Sequence, residues 1–446
     1  MARKDHDLLS PALRAPRKRW SGFDHLHKAI EKRAPLCFLS GCETKEGTER
    51  MRAVKILQEK LGSALGFMHS KRRDALWRVV EGLLRGQELW LTELGRSLPG
   101  ACSIKHRIKA VDRFLGSPTM QRQIPRVYAV LASFLLRFTE RPVLLVDWTG
   151  AESGFYVLSA KLAFGGRALS ILSRAYPESK KANPKAERAF LKELKTIIPS
   201  RCRPVLVTDA GFLFKWFDSV RALGWDYVGR VRLKKILLNI GGRCMRLDEV
   251  YALAKRKPRD FGSAWVGKNN PRAHRVILSA RPKTKGRYRL GRKGKPLTGG
   301  VATVSRDAAR EPLLLVTSLT DVPQIVVDIY RMRMQIEQTF RDLKSYRYGW
   351  STRLIRTAHA QRMDLLLLVG ALAAIVMHVL GLAIRHHRLA RGLQANTERR
   401  RSVFSTFFLG KLVVKEKLEP ELSIGALASA LRKLLSRPPS VERIAA

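Results

Sequence analysis

Two acidic residues stand where an α/β protein gathers its ligands. Asp147 and Asp209 each come directly after a short apolar run that predicts a buried strand. Because ligands collect at the carboxyl ends of the strands in open α/β sheets, we expect the two carboxylates to share a site. For either residue taken alone, a place in a turn or at a helix cap is the commoner explanation.

A third acid, Glu337, lies in a predicted helix over residues 323–344 together with Tyr330, Arg333 and Lys344. At about 100° per residue, these four side chains fall in one stripe no wider than about 60°. A solvated helix mixes its charges around the polar arc, whereas this stripe places one carboxylate among two cations and a tyrosine. The adjoining apolar face, which would pack on the sheet, consists of Ile329, Met332, Ile336, Phe340 and Leu343.

Three carboxylates favour Mg²⁺ or Mn²⁺ over zinc, because hard cations prefer oxygen ligands. Two such ions about 4 Å apart can activate a water or hydroxyl and stabilise the leaving oxygen of a phosphodiester. Arg333 and Lys344 would then hold phosphates, and Tyr330 would donate a hydrogen bond or pack on a sugar. Such a site predicts an enzyme that cuts DNA. No Walker, G-x-G-x-x-G, G-x-S-x-G or H-E-x-x-H pattern in the sequence indicates a different chemistry.

The composition predicts the same class of partner. The 446 residues include 85 Lys and Arg against 37 Asp and Glu, a formal net charge of +48. Hydrophobic residues make up 45% of the chain, enough for folded cores, which excludes a disordered basic tail protein. So large a positive field attracts polyanions, so nucleic acid is the first expected partner and an anionic membrane surface the second. Five scattered cysteines without a C-x-x-C pair are expected to be reduced cytosolic thiols.

One apolar segment bears on the membrane alternative. Residues 365–384 contain only His378 as a strongly polar side chain, so they are long and apolar enough to span a bilayer. The same composition suits a helix buried in a large soluble domain. We expect the buried helix and no membrane partner, because the stripe of charged residues precedes it. The N-terminus also lacks the apolar run of a signal peptide.

The predicted secondary structure that positions these residues changes along the chain. Residues 51–140 have helical spacing of their apolar side chains, whereas short apolar runs alternate with helices after residue 141, which is typical of an α/β core. Residues 232–311 break this rhythm with short strand-like runs and many basic side chains. Strands are predicted over 143–146, 155–164, 168–173, 204–207, 225–231 and 312–319, and a helix over 186–198.

A helix pair in the N-terminal part has the pattern of a DNA reader. Thr92 is expected to cap a helix over 93–98, and Ser103 a strongly basic helix over 104–115. A helix-turn-helix protein needs such a basic second helix, although a solvated charged face is the commoner meaning of the pattern. The candidate DNA contacts on this helix are Lys105, Arg107 and Lys109.

The stripe also resembles a known signature. The run YRMRMQIEQTFRDLK, in which Tyr330, Arg333, Glu337 and Lys344 keep their spacing, is similar to the YREK signature of bacterial insertion-sequence DDE transposases. This is the insertion sequence four family, which includes the enzymes of transposons Ten and Five. VLLVDWTG around Asp147 and VLVTDAGF at residues 205–212 resemble its two aspartate blocks. LTELGRSLPG, GWDYVGRVR and QANTERRRSVFS resemble the transposon Ten type in particular, and the likeness runs from about residue 51 to about residue 413.

The resemblance implies an α/β fold: an RNase H-like catalytic core with a β-rich insertion, a helical N-terminal DNA-binding domain and a helical C-terminal region. Asp147, Asp209 and Glu337 would be the catalytic ligands of two Mg²⁺ ions, for which Mn²⁺ would substitute. Tyr330, Arg333 and Lys344 would contact DNA near the end of the element. The implied parts are a basic arm or over-long start at 1–50, the DNA-binding domain at 51–140, core segments at 141–231 and 312–390, the insertion at 232–311 and a helical C-terminal region at 391–446 that would serve in dimerisation.

The implied reaction is cut-and-paste transposition. Nicking frees a 3′-hydroxyl at the end of the element, which attacks the opposite strand to form a hairpin that is reopened before strand transfer. The partners would be double-stranded DNA, as terminal inverted repeats and target, and a second copy of the chain that cuts in trans. The place of action would be the bacterial cytosol, at the nucleoid. The alternative is a catalytically inactive DNA-binding repressor of the same element.

One basic loop lies outside the family pattern. Residues 281–295 hold eight basic side chains, three glycines and no acid. A phosphate-binding loop and a merely solvated loop explain this composition equally well. The remaining candidate DNA contacts are Arg287, Arg289 and Arg292 in this loop, and Arg341 on the helix of the stripe.

Overall fold

A computed structural model of the chain describes residues 50–151, 154–232, 237–267, 270–281, 311–385, 387–394, 403–436 and 438–445. The predicted basic arm, apart from Arg50, lies outside these described residues. So do the loop candidates Arg287, Arg289 and Arg292. Within the described part the protein has a mixed α/β structure, which confirms the predicted class.

The part of the chain before the first strand is helical. A Cβ on Gly95 would lie 2.5 Å from the Cα of Ile108, so this glycine allows the third and fourth of the described helices to pack in direct contact. The helices are α1 (Arg52–Gly62), α2 (Ser70–Gly86), α3 (Leu91–Arg96), α4 (Ile104–Gly116) and α5 (Pro118–Leu135).

The predicted caps of α3 and α4 have different outcomes. Ser103 caps α4 as predicted, because its hydroxyl accepts a hydrogen bond from the backbone N–H of His106. The predicted cap at Thr92 is wrong. The helix α3 begins before Thr92, with the N–H of Leu94 donating to the carbonyl of Trp90, so Thr92 lies inside the first turn.

The described strands form one mixed sheet. They are β1 (Val143–Ala151), β2 (Phe155–Phe164), β3 (Arg167–Pro177), β4 (Val205–Thr208), β5 (Asp226–Arg230), β6 (Leu237–Ile240), β7 (Arg243–Arg246), β8 (Arg259–Val266), β9 (Arg272–Ser279) and β10 (Leu313–Thr317). Their order is β3-β2-β1-β4-β5-β10-β9-β8-β6-β7. The first three strands of the chain form an antiparallel meander, and β4 and β5 run parallel to β1.

The segment between β5 and β10 extends this same sheet. Its strand β9 pairs antiparallel with β10, and β8, β6 and β7 follow outward. Three helices follow strands of the sheet along the chain, namely α6 (Pro184–Ile197), α7 (Phe214–Ala222) and α8 (Leu247–Ala252).

Strand β1 is longer than the sequence predicts. Its parallel pairing with β4 ends at Val146, where the predicted strand ends. The antiparallel pairing with β2 continues from Asp147 opposite Ser159 to Ala151 opposite Phe155. Asp147 therefore lies inside a strand instead of following one, because the long β2 partner keeps the backbone extended.

The predicted single helix over 323–344 is also wrong. The structure has two helices, α9 (Pro323–Arg331) and α10 (Met334–Lys344), separated by a tight turn at Met332 and Arg333. The turn is closed by hydrogen bonds between residues three apart, from Met332 to Ile329 and from Ile336 to Arg333. Both helices keep their apolar residues in the core beneath them, so the turn lets the pair follow the sheet.

The predicted buried helix is confirmed. Helix α11 (Ala360–Arg385) is, among the described residues, long and apolar enough to cross a membrane, but 89% of its most apolar window is buried inside the protein. Gly381 and Gly410 allow it to cross the following helix closely, because a Cβ on either would overlap backbone atoms of the other helix. The C-terminal helices are α12 (Thr406–Lys415), α13 (Ile424–Ser436) and α14 (Val441–Ala445).

Candidate active site

The two aspartates lie side by side, with Asp147 inside β1 and Asp209 directly after the neighbouring strand β4. Val146 of β1 pairs in parallel register with Thr208 of β4, so the next residues, Asp147 and Asp209, leave this pair at the same edge. Neighbouring strands are about 4.8 Å apart, which brings the two carboxylates within reach of one ligand. Asp209 also shapes its own turn, because its carboxylate accepts a hydrogen bond of 2.9 Å from the N–H of Gly211.

Glu337 faces this pair from α10. Its neighbour Ile336 is buried in the core, which fixes the helix on the sheet, while the Glu337 side chain keeps 39% of its surface exposed. Burial raises the pKa of Asp147 to about 7, and the nearby carboxylates of Asp209 and Glu337 contribute in the same direction, against Arg333. An acid whose charge is disfavoured by burial and by two neighbouring acids is one that a cation stabilises.

Arg333 points into the acidic site. Its Nη1 lies 3.8 Å from an oxygen of Asp147, and its Nη2 donates to a carboxylate oxygen of Glu337. The side chain is only 14% exposed. Its Nε is buried without a hydrogen-bond partner in the described structure. The guanidinium therefore lies between two of the three acids.

The donor chemistry suits a divalent cation, but the arrangement does not yet form a ligand cluster. Asp147, Asp209 and Glu337 offer only carboxylate oxygens, which Mg²⁺ and Mn²⁺ prefer. Nevertheless, no group of three or more His, Cys, Asp or Glu side chains among the described residues is arranged to hold a metal ion.

The other predicted residues of α9 and α10 lie at different depths. Tyr330 is buried, with its ring centroid 6.0 Å from the guanidinium carbon of Arg333, and burial raises its pKa. Arg341 is exposed, and Lys344 is half-buried beside a cavity between α10 and α11. The structure thus brings Tyr330, Arg333 and Glu337 together and leaves Arg341 at the surface.

The candidate DNA contacts on α4 also differ in their exposure to solvent. Lys105 and Lys109 are exposed, as a DNA-facing residue must be. Arg107 is half-buried and donates a hydrogen bond of 2.8 Å to the carbonyl of Leu98, which ties α4 to the chain after α3.

Sequence reasoning missed Lys161. It lies on β2, is 2% exposed, donates a hydrogen bond of 2.5 Å to the hydroxyl of Ser170 and lies 5.6 Å from the ring of Phe340. Burial lowers its pKa to about 7. A lysine in the otherwise apolar run FYVLSAKLAF was the signal that could have identified it.

Two aspartates at one edge of an α/β sheet, with a glutamate facing them from a helix, give this site three carboxylates. A family model described as the transposase DDE domain matches residues 139–374, which is more than half of the chain. The chain therefore belongs to the DDE transposase domain family, as the sequence predicted. The matched residues include the three acids and all ten described strands of the sheet. No curated protein matches the chain.

Proposed function

We propose that this transposase is active and moves its element by cutting and pasting. The observation that carries the proposal is the register of β1 and β4, which puts Asp147 beside Asp209 with Glu337 opposite them. Nicking at the end of the element would free a 3′-hydroxyl, which attacks the opposite strand to form a hairpin before reopening and strand transfer. We propose that the protein is a YREK-family enzyme of the transposon Ten type, on the spacing of Tyr330, Arg333, Glu337 and Lys344.

The strand order supports an RNase H-like core. The order β3-β2-β1-β4-β5, with three antiparallel strands followed by two parallel to β1, fits such a core. The strands β6 to β9 then represent the β-rich insertion, within residues 232–311. The remaining domains are proposed as the sequence predicts them, with DNA binding at 51–140 and a dimerising region at 391–446.

Asp147, Asp209 and Glu337 are proposed to hold two Mg²⁺ ions, which Mn²⁺ can replace. Bound there, such ions would activate the attacking hydroxyl and stabilise the leaving oxygen of the phosphodiester. The protein's own groups bind and orient the DNA: Lys344 and Arg341 hold phosphates beside Glu337, and the exposed lysines of α4 contact the end of the element. Two copies of the chain would act in trans in the bacterial cytosol.

A catalytically inactive repressor is the second candidate. It would keep the DNA-binding surfaces and lose the acidic site, yet all three acids are present, on β1, directly after β4 and on α10. This retention favours the active enzyme.

A cleavage assay tests the proposal. Purified protein is incubated with DNA carrying the flanks of the gene, with Mg²⁺ and then with chelator, and the strands are separated on a denaturing gel. We expect metal-dependent breaks at the ends of the element. Glu337→Gln should lower the cleavage rate at least about 100-fold, because the change removes a metal ligand, while binding to the DNA is kept.

The matched control is Asp328→Asn, which removes a half-buried carboxylate of α9 that pairs with Arg331. It should cut like the unaltered protein. Specific binding without breaks in Mg²⁺ and in Mn²⁺ would favour the repressor, and cutting by Glu337→Gln would refute the assignment of the acid.

A further inference from the structure

The position of Arg333 is in conflict with two ions held by the three acids. One of its nitrogens approaches Asp147 and another bonds Glu337, so a positive charge already lies where the carboxylates converge. A divalent ion entering the same space would meet a like charge at close range, where electrostatic repulsion is strong in a partly buried site.

We propose that Arg333 is a gate: without DNA its guanidinium closes the acidic pocket to divalent ions, and DNA phosphates draw it out. This inference rests on the proposed function, because it assumes that Asp147 and Glu337 are metal ligands. It differs from that function in making metal binding depend on DNA.

The local structure allows such a movement. Arg333 is the N-cap residue of α10, and its side chain makes no capping hydrogen bond, so the start of the helix does not depend on that side chain. Its Nε has no hydrogen-bond partner within the described part of the chain, so the side chain is not held at every donor. Rotation of the side chain therefore breaks the two carboxylate contacts without unwinding a helix.

Other arginines nearby provide a place for the phosphate. Burial lowers the pKa of Arg281, and the charges of Arg230 and of Arg333 act in the same direction, so each of them is within electrostatic range of Arg281. Arg230 and Arg232 share Glu311 as their carboxylate partner. A phosphate placed among these cations would offer Arg333 an alternative partner to the acids.

The gate predicts reciprocal coupling between the two ligands. If DNA opens the pocket, DNA must tighten binding of the divalent ion by the same factor by which the ion tightens binding of DNA.

The test measures Mn²⁺ binding by electron paramagnetic resonance, using the full-length protein with no DNA. Arg333→Gln should bind Mn²⁺ at least about tenfold more tightly than the unaltered protein, because the competing cation is gone. Arg331→Gln, which removes an equal charge from an exposed position on α9, should bind like the unaltered protein. Asp147→Asn identifies the measured site, since its loss should abolish this binding.

A second arm adds duplex DNA carrying the flanks of the gene, with binding to the DNA alone subtracted. DNA should tighten Mn²⁺ binding to the unaltered protein and have little effect on Arg333→Gln. Equal or weaker Mn²⁺ binding by DNA-free Arg333→Gln would overturn the gate while leaving the proposed function standing. If no form binds Mn²⁺ in a manner that depends on Asp147, the proposed function fails as well.

Discussion

At the scale of single residues, the site is a balance of opposed charges. Asp147 is buried beside two other acids, and Arg333 offsets part of their repulsion. Lys161 is a second buried ionisable group in the sheet, and it has a hydroxyl as its hydrogen-bond partner. Buried charges are costly to a fold, so such residues are where function and stability conflict.

Lys344→Ala should weaken binding to end DNA and reduce the slope of log affinity against log salt by about 1, because one phosphate contact is lost. Fluorescence anisotropy over a range of salt concentrations measures this slope. Lys192→Ala removes the same charge from an exposed position on α6 and should leave the slope unchanged. An unchanged slope in Lys344→Ala would remove this residue from the phosphate contacts.

Lys161→Met should stabilise the protein at neutral pH. The lysine has a pKa near 10.5 when unfolded and about 7 when folded. The unfolded chain therefore binds a proton that the folded protein does not, and stability falls as the pH falls from about 10.5 to about 7. The gain at pH 7 is limited to about 4 kcal/mol and should shrink toward pH 10.

Urea unfolding of Lys161→Met and the unaltered protein at pH 7 and pH 10 measures this difference. Lys192→Met serves as the exposed control and should show the same effect at both values. A loss of stability at pH 7 in Lys161→Met would mean that the bond to Ser170 outweighs the cost of burying the amine.

At the scale of elements, two interruptions of regular structure shape the site. The turn between α9 and α10 lets Arg333 reach the acids, and the prolonged pairing of β1 with β2 keeps Asp147 in extended backbone. In the N-terminal part, the close packing of α3 and α4 depends on the missing side chain of Gly95.

Gly95→Ala should weaken binding to end DNA, because the added methyl meets the Cα of Ile108 and must force α4 away from α3. Overpacking of this kind costs about 1–3 kcal/mol of stability. Anisotropy and thermal unfolding measure the two effects. Gly62→Ala in α1, where an added Cβ meets nothing within 4 Å, should change neither. Normal DNA binding by Gly95→Ala would show that the α3–α4 geometry does not position a DNA-contacting surface.

At the scale of the whole molecule, distant parts of the chain complete one core. The last helix, α14, returns to the start of the sheet, where Ser440 bridges to Pro142 beside β1. Val441 is 1% exposed and packs in the same cluster as Tyr330 of α9. The C-terminal residues therefore support the helix pair that carries the candidate site.

Val441→Ala should lower the free energy of unfolding by about 1–3 kcal/mol, because it leaves a cavity in this cluster. Denaturant unfolding measures the change, and cleavage should fall along with stability. Ile424→Ala on α13, where the side chain is 64% exposed, is the control and should cost little. An unaffected Val441→Ala protein would mean that α14 contributes nothing to the core.

Much of the fold was accessible from the chain alone. The apolar runs predicted β2, β4 and β5 to within a few residues, and the composition of residues 365–384 predicted the buried α11. The types and spacing of Asp147, Asp209 and Glu337 singled them out before any fold was known, and the structure brings them to one edge of the sheet. Their catalytic role stays a prediction.

Other features depend on partners far away in the chain. The length of β1 follows from its pairing with β2, and the break before α10 lets two helices pack on one core. Arg333 approaches the acids, and Lys161 is buried, only after folding has brought distant residues next to them. Spacing and periodicity are properties of the chain, so they are read directly, whereas burial and charge pairing depend on which distant groups share a low-dielectric interior.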